Sequence, residues 1–188
     1  MNGIKTMHTK ILDFWFNQSG YEQWFSKNEN FDAIITNRFM ATYTVAKNGE
    51  LDHWMDTAKG TLALIIVLDQ FPRNMFRGLA KSFETDSQAR KLTWHALSNG
   101  FDLDLDITQA MRGFFYLPLE HSENLNDQTA CVKLAKERMA DDDNFIDYAT
   151  QHLKIIERFG RFPHRNKALA RIDTDDEKNY LSSPDSGF

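Results

Sequence analysis

Two segments of this chain share a short basic pattern that could bind an anion. Residues 70–74 read Gln-Phe-Pro-Arg-Asn, and residues 161–166 read Arg-Phe-Pro-His-Arg-Asn. An arginine guanidinium donates paired hydrogen bonds to phosphate or carboxylate, and an asparagine amide both donates and accepts. We therefore predict an anion site, although the net charge of the chain is −5. The candidate ligand-binding residues in and beside these segments are Arg73, Asn74, Arg77, Arg161, His164, Arg165 and Asn166.

A second group of residues has the side chains that proton transfer requires. Glu120 and His121 stand at the end of a predicted helix, and His152 interrupts an apolar stripe on another. Histidine titrates near neutral pH, so an imidazole close to a carboxylate is typical of general acid–base catalysis. Glu120, His121 and His152 are therefore the candidate catalytic residues. For His152 the alternative is a core histidine with no chemical role.

Two further charged residues lie in predicted apolar helices, and each could have a structural role or a ligand-binding role. Arg38 lies on the apolar face of a predicted helix, where it either binds an anion or extends its charged end into solvent. We count it among the candidate ligand-binding residues. Asp69 ends the central apolar helix, where the helix dipole disfavours an anion, so we expect it to pair with Arg73 or Arg77.

The composition and the absence of known motifs limit the classes of function. The acidic net charge argues against nucleic acid as a partner, because nucleic-acid binding needs a broad positive field. The longest apolar run, Leu62–Leu68, is much shorter than the roughly 20 residues of a membrane span. The spacing of the histidines and acids matches no strong metal-binding motif, so we predict no metal site. The sequence has no glycine-rich phosphate-binding loop, and it therefore identifies no cofactor. The single cysteine, Cys131, agrees with a reducing compartment, and we expect a soluble cytoplasmic protein.

Apolar residues recur with the helical period almost throughout the chain, which predicts an all-α fold. Seven or eight helices with short connections favour a single-domain antiparallel array covering 1–188, with frayed ends at 1–4 and 183–188. Pro72 and Pro118 are expected to end the helices before them. The predicted helices are 5–17, 29–47, 57–70, 86–98, 107–117, 125–140, 145–159 and a short one opening at a Thr174 capping box.

Three longer motifs, at 62–74, 117–123 and 158–166, resemble the bacterial family catalogued as domain of unknown function 924. The resemblance covers nearly the whole chain. It implies an all-helical fold similar to tetratricopeptide-repeat proteins, and it implies no established activity. The family pattern has glycine at one position where this chain has Ala170.

These observations leave three hypotheses open. In the first, the protein is an enzyme or a sensor for a small molecule that carries phosphate or carboxylate. In the second, it is a helical-repeat-like module that binds a protein or an acidic peptide. In the third, the polar motifs are structural, and the turn at 161–166 is held by acids such as Glu120 and Glu123.

Overall fold

The computed structural model describes residues 6–183, and this part of the chain is helical with no β-strand. Eight of its α-helices have seven residues or more, which confirms the all-α prediction. Lys5 and the ends predicted to fray lie outside the described residues, except for Ser183. The α-helices are α1 (Met7–Asp13), α2 (Tyr21–Phe25), α3 (Glu29–Lys47), α4 (Ala58–Ile65), α5 (Phe71–Met75), α6 (Asp86–Ser98), α7 (Gln109–Glu120), α8 (Leu125–Arg138), α9 (Asp143–Phe159) and α10 (Asp175–Leu181).

The helices form two compact units. The first unit contains the described residues up to Arg77 together with Lys81–Pro118. The second contains Gly78–Ala80 and the described residues from Leu119 onward, so the division falls near the end of α7. The prediction of a single domain over 1–188 stays a prediction.

The core of the first unit is built around α4 and the segment that follows it. Every residue from Leu62 to Leu68 is at most 4% exposed, as expected for a helix that is apolar on all sides. The aromatic rings of Phe14, Trp15 and Phe71 pack beside it, with 5.6 Å between the ring centres of Trp15 and Phe71. This core positions the first of the two basic segments.

Pro72 does not end the central helix, so that prediction is wrong. After α4 the chain makes a wider π-helical turn, Ile66–Gln70, and continues directly into α5. Proline has no N–H, so the Leu68 carbonyl four residues earlier loses its usual helical donor. The hydroxyl of Thr85 donates to that carbonyl at 2.6 Å, and the helix can therefore pass through the proline.

The helices α7 and α2 also differ from the predictions. The helix α7 contains Pro118 and ends at Glu120, whereas the pattern predicted an end at Leu117. A proline so close to the end removes only one hydrogen bond of the last turn. The pattern did not predict α2, because five residues are too few to show a helical period.

In the second unit, α8 packs against α9, and α10 packs against the turn Pro163–Arg165. The segment after this turn ends in a left-handed residue, Ala170, with φ of 52°. The N–H of Arg171 donates to the Asn166 carbonyl at 2.8 Å, and the N–H of Ala170 donates to the Lys167 carbonyl at 3.4 Å. This is the Schellman pattern, which usually carries glycine at the left-handed position.

Replacing Ala170 by glycine should therefore stabilise the protein. The left-handed conformation strains a Cβ atom by about 1–2 kcal/mol, and the greater freedom of glycine in the unfolded chain offsets part of that gain. We expect Ala170→Gly to raise the free energy of unfolding by about 0.5–1 kcal/mol in urea titrations. Ala168→Gly, in the same turn without a left-handed φ, should lower it. Equal effects of both substitutions would contradict the interpretation.

Candidate functional site

The second basic segment begins where α9 ends. Gly160 takes a left-handed conformation, with φ of 69°, and its N–H donates to the Ile156 carbonyl at 2.9 Å. Pro163 then opens a short 3-10 turn, Pro163–Arg165. The sequence folds this way because glycine tolerates the left-handed cap and proline is favoured in the first turn of a helix. The side chains of 162–165 are therefore held on a stiff turn.

Basic side chains gather around Phe162, which is fully buried. The ring centres of His152 and His164 lie 5.5 Å and 5.6 Å from the Phe162 ring centre. The guanidinium carbon of Arg165 lies 4.5 Å from the same centre, in a cation–π contact. His121 is close enough to act on the charges of both other histidines. We call His121, His152, His164 and Arg165 the basic cluster.

His152 is the buried histidine of the basic cluster, with 6% of the residue exposed. Its Nδ1 lies 2.9 Å from the Tyr148 carbonyl, which can only accept, so Nδ1 carries the proton of the neutral ring and Nε2 the lone pair. Burial lowers the His152 pKa to about 3, and the charges of His121, Arg165 and His164 act in the same direction. The ring is therefore neutral at pH 7 even with Glu120 Oε1 3.7 Å from Nδ1.

The backbone at the end of α7 is fixed by Gln128 of α8, which is fully buried. The two hydrogens of its amide nitrogen face three carbonyls, those of Leu119 at 3.2 Å, Glu120 at 2.5 Å and Ser122 at 2.7 Å, so one hydrogen is shared. These carbonyls lie at and just after the end of α7, where backbone acceptors have no partners within the helix. Gln128 therefore holds the backbone that carries Glu120 and His121.

Cys131 is a buried thiol on α8 that lies within the electrostatic influence of Glu120. Burial raises its pKa well above the usual value, and the Glu120 charge adds to that effect. Because the thiolate is the nucleophilic form, Cys131 is chemically inert at neutral pH.

Other cations of the second segment face carboxylates of the same unit. Arg161 donates to both oxygens of Glu177, at 2.6 Å and 2.8 Å. Arg171 does the same to Glu123, at 2.7 Å and 3.0 Å, and the N–H of Phe162 donates to Glu123 at 2.8 Å. These are the contacts that the structural hypothesis requires, and Glu123 was one of the acids it named.

Asn166 and the C-terminal helix belong to the same set of contacts. The Asn166 amide donates to Asp173 at 2.7 Å. The Thr174 hydroxyl accepts from the Glu177 N–H, and the Glu177 side chain accepts from the Thr174 N–H, so the predicted capping box is confirmed. Glu177 thus caps α10 and binds Arg161 with one carboxylate.

This double role predicts that Glu177 makes the protein sensitive to acid. Hydrogen bonds from Arg161 and from the Thr174 backbone lower the Glu177 pKa well below its usual 4.5. A carboxyl whose pKa is lower when folded stabilises the protein above pH 4.5, and this contribution is lost as the pH falls toward the folded value. Between pH 6 and pH 3, wild type should lose more stability than Glu177→Gln in urea titrations. Equal losses would contradict this role.

The first basic segment lies in the first unit and also faces carboxylates. Arg73 contacts the fully buried Asp69 at 3.2 Å and Asp86 at 3.1 Å, which confirms the expected pairing of Asp69. Arg77 donates to both oxygens of Asp32, at 2.8 Å and 2.9 Å, and Asn74 donates to Asp32 at 2.8 Å. These three candidates are therefore engaged by acids of their own unit.

Arg38 lies on the exposed side of α3. Its guanidinium carbon is 4.5 Å from the centre of the Phe14 ring, and it donates to the Gln18 side chain at 3.1 Å. Its charged end reaches solvent, which agrees with the second of the two alternatives. Its role in binding a ligand stays a prediction.

Comparison with known proteins gives the family of the chain. Residues 11–185 match the family model described as bacterial protein of unknown function, DUF924. The chain belongs to this family. The family resemblance seen in the sequence is therefore confirmed, whereas the likeness to tetratricopeptide repeats stays a prediction.

A solved structure supports the fold of this DUF924 chain. The chain is similar to the protein of unknown function ATU0120 from Agrobacterium tumefaciens, with 39% sequence identity and a TM-score of 0.87. The match covers 93% of this chain and 96% of the other. No curated protein matches the chain.

The structure of the DUF924 chain thus sorts the candidate residues into groups. Glu120, His121, His152, His164 and Arg165 come together in the second unit. Arg161 and Asn166 face acids of that unit, and the candidates at 73–77 face acids of the first. The sequence did not indicate that Phe162 belongs to the site, although the basic cluster forms around it. A phenylalanine within a basic segment is usually a residue of the hydrophobic core.

Two further findings concern the described residues as a whole. Within 6–183, no group of three or more histidines, cysteines or acids is arranged to hold a metal ion. No helix in this range is long and apolar enough to cross a membrane.

Proposed function

We propose that the second unit binds a small molecule through an anionic group, phosphate or carboxylate, at the basic cluster. The observation that carries this proposal is the convergence of the His152 and His164 rings and the buried Arg165 guanidinium on Phe162, with His121 close enough to act on both rings. Arg165 is only 6% exposed, and a charge in such a place acts through a low dielectric, where it attracts an anion more strongly than in water. His164 is exposed and marks the side from which a ligand approaches.

The chemistry of the cluster favours binding over catalysis. A general base works best when its pKa lies near the working pH, and the pKa of His152 in the protein without a bound anion, about 3, is far below neutrality. A neutral imidazole and an arginine nevertheless provide directed hydrogen bonds and charge for an oxyanion. We therefore favour a sensor or binding protein for an anionic metabolite within the first hypothesis.

Thermal unfolding in the presence of anions tests this function. Inorganic phosphate, sulfate, succinate, a sugar phosphate and a nucleotide would each be titrated at constant ionic strength, so that screening of surface charges stays fixed. We expect at least one anion to raise the Tm of wild type, since a ligand at 100 times its Kd adds about 2.7 kcal/mol. His164→Ala should reduce this shift, and its exposed position should spare the fold.

Arg158→Ala is the matched control. Arg158 is exposed and pairs with Asp176, so the substitution removes one positive charge from the same unit without touching the cluster. Arg158→Ala should show the same anion-induced rise in Tm as wild type. The proposal fails if no anion shifts wild type, or if His164→Ala and Arg165→Lys both retain the wild-type shift.

A further inference from the structure

A buried pair of titratable groups lies beside the basic cluster. Glu120, at the end of α7, is 5% exposed, and His152, on α9, is 6% exposed. Glu120 Oε1 and His152 Nδ1 are 3.7 Å apart. When two titratable groups interact at such a distance, a proton added to one of them shifts the pKa of the other.

The groups around this pair determine whether His152 carries a charge. His121 follows α7, and His164 and Arg165 come from the turn after α9, and all three oppose a charge on His152. From α8, the Cys131 thiol lies near Glu120 and is neutral. The Tyr148 carbonyl and the Glu120 carboxylate are the groups that favour an imidazolium. Burial, together with the Arg165 charge, thus keeps the His152 ring neutral when no anion is bound.

We propose that the basic cluster takes a doubly charged oxyanion together with one proton, which His152 binds from solvent. This inference rests on the proposed function and names the class of its ligand. The proton adds to the lone pair of Nε2, and the Nδ1–H keeps its hydrogen bond to Tyr148. The bound imidazolium then lies between the Glu120 carboxylate and the anion, and both stabilise its charge.

The charges explain why a dianion is preferred. Glu123 and Arg171 also act on His164, but they pair with each other. This leaves the charges of Glu120 and Arg165, which offset each other while His152 is neutral. A monoanion adds one negative charge, and a dianion bound with one proton adds the same net charge to the buried site. The dianion also gains an attraction to the new imidazolium. Because binding of the dianion takes up a proton, its affinity should rise as the pH falls, by up to about tenfold for each pH unit.

Calorimetry with two matched probes tests the inference. Sulfate is doubly charged, stays unprotonated near pH 6 and brings no proton of its own. Methanesulfonate carries a similar sulfonate head with a single charge. Each is titrated at pH 6 in two buffers of different ionisation enthalpy, and the difference in heat gives the number of protons taken up. We expect about one proton and tighter binding for sulfate, and weaker binding without proton uptake for methanesulfonate.

His152→Asn tests which residue takes the proton. Its amide can still donate to the Tyr148 carbonyl, but it cannot titrate, so proton uptake should be lost. Histidine-ring nitrogen NMR on wild type gives the same answer without a substitution, as a sulfate-dependent protonation of His152. Proton uptake that persists in His152→Asn, or equal affinity for sulfate and methanesulfonate, would overturn this inference. Either result would still be compatible with the proposed anion site. Absence of any binding, with no thermal shift, would overturn both proposals.

Discussion

Replacing Gly60 by alanine should destabilise the protein by about 3 kcal/mol or more. Gly60 lies in the first turn of α4 and is buried. A Cβ atom at this position would lie 2.1 Å from the Trp54 carbonyl oxygen and 2.9 Å from the Thr57 hydroxyl. The first contact involves backbone, so the start of the central helix must move away from the preceding turn, Asp52–Asp56.

Helix propensity alone predicts the opposite sign. Alanine is favoured over glycine inside a helix by about 1 kcal/mol, so without the clash Gly60→Ala would stabilise α4. Gly20→Ala is the matched control, because a Cβ there meets nothing within 4 Å and its φ is −152°. We expect the control to stay within about 0.5 kcal/mol of wild type in urea unfolding. A mild effect of Gly60→Ala would show that the turn at 52–56 can move at little cost.

Replacing Asp69 by alanine should cost about 3 kcal/mol, because it removes the acid of a buried ion pair. Asp69 is fully buried, and the Arg73 side chain is 20% exposed. The variant leaves Arg73 with Asp86 as a partner, which places the cost at the lower end of the range for buried pairs. It also removes the acceptor of a hydrogen bond from the Gln70 side chain.

Asp32→Ala provides a comparison within the same unit. Asp32 pairs with Arg77, whose side chain is 37% exposed, and a pair that solvent reaches contributes about 1 kcal/mol or less. Asp32→Ala also removes the acceptor of the Asn74 amide, which adds about 1 kcal/mol to its cost. Urea titrations should therefore rank Asp69→Ala below Asp32→Ala in stability. High salt should weaken the Asp32 pair and leave the Asp69 pair nearly unchanged. Similar costs for both variants would mean that burial does not decide the strength of these pairs.

Much of the helical fold could be predicted from local patterns. The bounds of α3 and α6 agree with the prediction, and Gly49 and Gly100 close these helices in the left-handed conformation. Such ends depend on a few neighbouring residues, so the sequence shows them directly. The passage through Pro72 depends instead on Thr85, which is distant in sequence and therefore absent from any local pattern.

The candidate site could be predicted only in part, for the same reason. Residue types indicated Glu120, His121, His152, His164 and Arg165, which the structure brings together. The pattern could not show that Glu177 would bind Arg161, because sixteen residues separate them. It also could not show the clash at Gly60, since the carbonyl that excludes a side chain there belongs to another element.

The hydrogen bond from Thr85 to the Leu68 carbonyl has a consequence for how the first unit folds. The central helix is incomplete on its own, because the acceptor exposed by Pro72 is satisfied only when the start of α6 arrives. Forming the two elements is thus one cooperative event, and an isolated peptide covering 58–75 should be frayed around its middle. Amide hydrogens of the central helix should then exchange with solvent only when α6 detaches, so that both elements open together.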